Sequence, residues 1–245
     1  MSVFLDSENL IIKNFWTLDT RDKFPETFRT TVQHKKKNED LIEATLILSQ
    51  DCLVKIGTNS IKKSTLLDWK IVEAFEEDNG ELRRFGFSVS TQSCKKDFYV
   101  KNEETLEAWI MHLSSVCIMA NFKIDFSLIK QIGSGSFGTV YLAASNDTCD
   151  MFAVKSIDKH IIIGHQVNLS NLMNEIQFMR KLNHPNIVKL HYVYESTTHI
   201  YLFSYWLFRG RWFVWQDHEK KKIQWTNSCK IYRKTIRCCK LLELT

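Results

Sequence analysis

Three glycines, one lysine and one glutamate carry the spacing in this chain that could do chemistry. Gly133, Gly135 and Gly138 lie in Gln131-Ile132-Gly133-Ser134-Gly135-Ser136-Phe137-Gly138-Thr139-Val140. Residues without a Cβ let a backbone turn fold tightly and aim its N–H groups at an anion, phosphate oxygens above all. After a short polar gap comes Met151-Phe152-Ala153-Val154-Lys155, so Lys155 stands 15 positions beyond Val140. Glu175 follows inside a stretch of helical period. Taken singly, each residue has a plainer reading. A glycine-rich turn is usually an ordinary hairpin, a lone lysine usually sits at a surface, and a glutamate on an amphipathic helix is usually a solvated charge. The order and spacing together favour a phosphate-handling site.

The elements that must hold these residues follow in sequence. Leu169, Leu172, Met173, Ile176, Met179 and Leu182 recur at helical spacing, which predicts one amphipathic helix over 168–182, with Asn168 or Ser170 as its N-cap. Glu175 lies within it. Leu182-Asn183-His184-Pro185-Asn186-Ile187-Val188 then turns into Ile187–Tyr194 and His199–Phe203, both strand-like.

The glycine segment, Ala-Val-Lys, Asn174-Glu175-Ile176 and His-Pro-Asn-Ile-Val together resemble the small lobe of protein kinases, over roughly 126–203. The nearest likeness is to the calcium/calmodulin-dependent-like serine/threonine group. The resemblance implies a five-strand antiparallel sheet plus helix C. It implies that Ile132, Gly133, Ser134, Gly135, Ser136, Phe137 and Gly138 cover the ATP phosphates, and that Val140 and Ala153 contact the adenine. It also implies that Lys155 neutralises the α- and β-phosphates while Glu175 pairs with Lys155, these two being the catalytic positions present. Mg2+ is expected for the complete family domain, but no residue of this chain is assigned as a metal ligand.

The first 120 residues read differently. Phe28–Gln33, Ala44–Leu48, Leu53–Ile56, Leu66–Ala74, Phe85–Ser90 and Lys96–Val100 have strand character, with turns such as Asp78-Asn79-Gly80 between them. From Asn102 the period becomes helical. Leu106, Trp109, Ile110 and Leu113 form one apolar stripe, and Asn102 is placed to cap it. Short strands followed by a helix with a buried Trp resemble a pleckstrin-homology domain, a β-barrel with a C-terminal helix. In such a domain Lys35, Lys36 and Lys37, with Lys62 and Lys63, could face an anionic lipid. The arginine that phosphoinositide-binding members place before the strand aromatic is lacking, so a protein-binding or intramolecular role is the favoured expectation. Trp109 is expected in the core; Trp16 and Trp69 are left open. Cys117–Asp125 joins the two parts without a Gly, Pro or Ser run, so the domains are expected to touch. The class is thus α+β: a domain over 1–120, a kinase small lobe over 126–203, and a tail over 204–245 without a defined fold.

The charge balance supports that division. The net charge is +5, from 33 Lys+Arg and 28 Asp+Glu. Residues 204–245 alone hold 10 basic and 3 acidic side chains. The basicity therefore belongs to the tail and argues against a nucleic-acid partner. Seven cysteines form no C-x-x-C pair, which suits free thiols in a reducing compartment. With no signal-like N-terminus and no 18-residue apolar run, the expected location is cytoplasmic or peripheral to a membrane.

Two functions remain open at this level. One is the ATP-binding part of a serine/threonine kinase acting on protein hydroxyls. The other is a non-catalytic nucleotide-binding or adaptor module working through protein or lipid contacts. No His-Arg-Asp, Asp-Phe-Gly or Ala-Pro-Glu occurs in the 245 residues, so the chain as written is expected not to transfer phosphate. The tail invites a specific explanation. Four of seven tryptophans fall at 206, 212, 215 and 225. Shifting the codons by one nucleotide turns each Trp into Gly and permits GYLEGDGLFGKIM from Trp206, like a kinase hinge. A frame-shifted tail is therefore expected; a transcript whose alternative frame spells no hinge and no His-Arg-Asp would refute it.

Overall fold

The computed structural model describes residues 15–19, 25–35, 40–50, 52–58, 60–65, 70–78, 80, 82–91, 94–135, 138–164, 169–183 and 189–205. The first part is an antiparallel run: β1 (Thr17–Asp19), β2 (Phe28–Lys35), β3 (Leu41–Leu48), β4 (Leu53–Ile56), β5 (Ile61–Ser64), β6 (Ile71–Asp78), β7 (Arg83–Ser90) and β8 (Lys95–Val100), followed by helix α1 (Glu103–Ser114). The strand order is β1-β5-β4-β3-β2-β8-β7-β6. One strand predicted over Leu66–Ala74 is instead β6, beginning at Ile71, while β5 lies earlier in the chain; residues 66–69, Trp69 among them, lie outside the described residues. Strand β5, Ile-Lys-Lys-Ser, escaped the sequence reading because its two lysines mask a strand with few β-formers.

Helix α1 begins where its cap dictates. The Asn102 side chain accepts a hydrogen bond from the Thr105 N–H at 3.0 Å, and Glu103 and Glu104 occupy the positive end of the helix dipole. Trp109 and Leu113 are fully buried. The Trp109 ring packs against Phe28 and Phe87. Its indole N–H donates to the Thr30 hydroxyl at 2.8 Å, so burial leaves that donor satisfied. Gly86 is required beside this core: a Cβ there would sit 2.6 Å from the Phe98 carbonyl oxygen.

The second part contains β10 (Phe126–Gly135), β11 (Gly138–Ser145), β12 (Met151–Asp158), β13 (Leu190–Glu195) and β14 (His199–Tyr205), ordered β13-β14-β12-β11-β10 and all antiparallel. Helices α3 (Lys159–Gly164) and α4 (Leu169–Lys181) accompany them. The segment read as a plain connection is structured. It forms β9 (Ile118–Met119) and a short helix α2 (Phe122–Asp125). Strand β9 pairs in parallel with both β6 and β13, joining the two parts into one sheet. Its two side chains separate by strand alternation: Ile118 enters the aliphatic cluster under α4, and Met119 enters the aromatic cluster that continues from α1. The Tyr194 hydroxyl donates to the Asp125 carboxylate at 2.7 Å. Burial raises the pKa of Asp125 despite that bond.

Candidate functional site

Strand register gathers the candidate residues. Val140 pairs with Lys155 and Leu142 with Ala153, while Gly133 pairs with Val140 across β10 and β11. Partners in an antiparallel pair share a face, and so do residues two apart. Val140, Ala153 and Lys155 therefore lie on one face of the second sheet. Phe152 and Val154 take the opposite face, joining the aromatic cluster with Tyr194, Tyr201 and Phe203. The sheet thus has an aromatic side turned to the first part of the molecule and a second side that carries both the candidate site and an aliphatic cluster with Leu202.

The glycine hairpin closes at Gly135 opposite Gly138. Gly138 has φ +150°, and a Cβ there would lie 2.2 Å from the Ser156 carbonyl oxygen. Only glycine fits, because the start of β11 lies against the β12 backbone at Ser156. A Cβ at Gly135 would meet nothing within 4 Å, so the turn leaves room on that side of the hairpin. Ile132, Gly133, Ser134, Gly135 and Gly138 are brought together in this hairpin; Ser136 and Phe137, named with them, lie outside the described residues.

Helix α4 supplies the carboxylate. Leu172, Met173 and Ile176 are buried and pack on the same sheet side as Leu202. This burial turns Glu175 towards β12. Its Oε1 lies 3.8 Å from Lys155 Nζ, with side-chain exposures of 33% and 12%. Charge-assisted hydrogen bonds are about 2.7–2.9 Å, so the pair is formed as an ion pair with room to tighten. The predicted N-cap Asn168 lies outside the described residues. Arg180 escaped the sequence reading, although it lies in the last turn of the same helix; its partners are backbone carbonyls, which no side-chain pattern advertises.

A second cluster lies in the first part. Trp16, His34, Lys35, Lys55, Lys62, Lys95, Lys96, Asp97 and Phe98 line a cleft of about 390 Å3. Lys35 and Lys62 were named from sequence; Lys36 and Lys37 lie outside the described residues, and Lys63 instead pairs with Asp19 at 3.1 Å. Lys55, His34, Lys95 and Lys96 were missed because they come from three strands, β4, β2 and β8, that only the fold brings together. Lys55 faces Lys62 directly across β4 and β5. Burial, then Lys62 and Lys96, lower its pKa to about 8. Burial and Lys55 lower that of His34.

With this geometry in view, the second part can be set beside known proteins. Residues 126–241 match one family. The match is to the protein kinase domain. It starts at β10 and runs past residue 203, where the sequence reading ends the small lobe; the tail residues 206–245 lie outside the described residues. A probable myosin light chain kinase of Dictyostelium discoideum is 42% identical over 78 residues, 32% of this chain and 23% of that protein. The serine/threonine-protein kinase RAD53 of Saccharomyces cerevisiae is 42% identical over 79 residues, covering 32% and 9%. A RAC family serine/threonine-protein kinase homolog of Dictyostelium discoideum is 30% identical over 97 residues, covering 40% and 22%. The chain thus spans less than a quarter of the length of each of these relatives. Together these matches support a protein kinase, whose domain uses ATP and Mg2+ in general, and the five-strand sheet with α4 fits a kinase small lobe.

Proposed function

We propose that residues 126–205 hold the ATP of a serine/threonine protein kinase of the calcium/calmodulin-dependent-like kind, which transfers the γ-phosphate to protein hydroxyls. The observation that carries this reading is the Lys155–Glu175 pair beside the glycine hairpin that closes at Gly135 and Gly138. Ile132 to Gly138 would cover the phosphates, Val140 and Ala153 would bound the base, and Lys155 would meet phosphate oxygens as a point charge. Bound ATP supplies the transferable phosphoryl group. The described residues fit its phosphate end, since they offer backbone N–H groups and one oriented cation. We further propose that the tail is frame-shifted, on the strength of the four tryptophans at 206, 212, 215 and 225. The test is Mg·ATP titration of the full chain against Lys155→Met. Binding should fall at least tenfold in the variant with its melting temperature kept; equal affinity in the two proteins sinks the assignment.

A second reading concerns the first part and rests on the basic cleft. Four or more cations around Lys55, with Trp16 at its edge, suit a pleckstrin-homology-like module meeting an anionic membrane surface from the cytoplasmic side. Co-sedimentation with phosphatidylserine vesicles tests it. Pelleting no greater than with phosphatidylcholine would leave the protein-binding or intramolecular role.

A further inference from the structure

Helix α4 is gripped at two places that serve different neighbours. Glu175 faces Lys155 on β12. Arg180, in the last turn, faces the first part of the molecule. Its two terminal nitrogens donate to the carbonyl of Val116 at 2.7 Å and to that of Cys117 at 2.5 Å. The planar guanidinium suits two adjacent carbonyls as a single ammonium does not. Those acceptors are fixed before Arg180 arrives. The Val116 and Cys117 N–H groups both donate to Leu113 O at the end of α1, and the next residue, Ile118, donates to Lys70 O. The carbonyls also lie at the negative end of α1, where a cation is favoured.

We infer that Arg180 is a positioning residue: its bonds to Val116 and Cys117 let the N-terminal unit set where α4 sits, and so whether Glu175 reaches Lys155. The two side chains are about 7.5 Å apart along a rigid helix axis, so a displacement at one end is carried to the other. An ion pair of 3.8 Å has little reach to spare. The inference rests on the nucleotide reading only for its consequence, which is that displacement of α1 or β9 weakens ATP binding.

The chemistry of Lys155 provides a readout that needs no nucleotide. A carboxylate neighbour keeps an ammonium charged and unreactive towards acylation. The full-length protein is treated with an acetylating N-hydroxysuccinimide ester, and the rate at Lys155 is followed by peptide mass spectrometry. Lys159, the first residue of α3, buried and paired with Glu195 of β13 at 2.8 Å, serves as the internal reference. Arg180→Gln should raise the Lys155 rate roughly fivefold or more and leave Lys159 unchanged. Glu175→Gln should do the same, and the double variant should be no faster than Glu175→Gln alone. Arg180→Lys, which keeps the charge and loses the fork, should fall between. It also carries the test if Arg180→Gln does not fold. Lys181→Gln, on the exposed side of α4, should behave as the parent. The inference is overturned if Arg180→Gln matches Lys181→Gln, if Lys155 and Lys159 accelerate together, or if the two substitutions add in full. Mg·ATP added to the parent protein should slow Lys155; failure there overturns the nucleotide reading while leaving the nucleotide-free rates to judge Arg180.

Discussion

Helices α1 and α4 have 12 and 13 residues, and each lies on an antiparallel sheet. They are held by different means. Helix α1 is capped by Asn102 and anchored by Trp109, whose ring is enclosed by Phe28 and Phe87 and whose N–H is satisfied. Helix α4 rests on aliphatic side chains, Leu172, Met173 and Ile176, and is tied at its edges by polar contacts through Glu175 and Arg180. Aromatic enclosure fixes orientation, since a large flat ring fits one way. Aliphatic packing tolerates sliding, and polar ties at the rim then decide the position. The first helix is thus built as a plug and the second as an element whose placement can be set.

The comparison is sharpest where each helix is most buried. Trp109→Ala should cost ~3–5 kcal/mol, the upper range for core truncations. Because the aromatic cluster runs from α1 through Met119 and Phe122 to Phe152 and Phe203, the loss should lower the urea midpoint of both parts together. Two separate transitions, with the second unmoved, would break the picture of one continuous core. Ile176→Ala, also fully buried, should cost ~2–5 kcal/mol. Its additional mark should be weakened ATP binding, which Trp109→Ala should show only in proportion to unfolding. If Ile176→Ala leaves nucleotide affinity untouched, α4 is not the settable element described.

What the sequence disclosed follows from which interactions are local. Asn102 with Leu106, Trp109, Ile110 and Leu113 announced α1 to within a residue, because cap and period are properties of one segment. The glycine spacing announced the hairpin, because a backbone approach as close as that of Gly138 to Ser156 admits no other residue. The Glu175–Lys155 pair was legible only through resemblance, since two elements must pack before the charges meet. Besides β5, three features were not legible. Strand β9 is two residues long and exists through pairing with β6 and β13. Arg180 recognises carbonyls, which every residue possesses. The basic cleft draws Lys55, Lys62 and Lys96 from three strands whose alignment only the fold supplies.

The smallest effect comes from comparing two lysines. Lys155 has a carboxylate at 3.8 Å. Lys55 is instead set beside Lys62, Lys96 and His34, whose ring nitrogen is 3.1 Å from its Nζ, with Lys35, Lys95 and Asp97 also lining the cleft and the Trp16 ring 5.3 Å away. Its pKa is lowered from 10.5 to about 8, first by burial and then by the neighbouring lysines. The folded protein therefore binds this proton less readily than the unfolded chain does. Below pH 8 both states carry it, and the penalty on folding is fully present. Between about 8 and 10.5 the folded state releases it first, so stability from this group rises with pH; above 10.5 the penalty is gone. Lys55→Met removes the titration. Differences in urea midpoint between parent and variant should favour the variant at pH 7 and shrink as the pH climbs through that window, while groups common to both proteins cancel. A difference that stays flat from pH 7 to pH 10 would mean that Lys55 is solvated like any surface lysine, and the contrast between a paired lysine and a crowded one would fall.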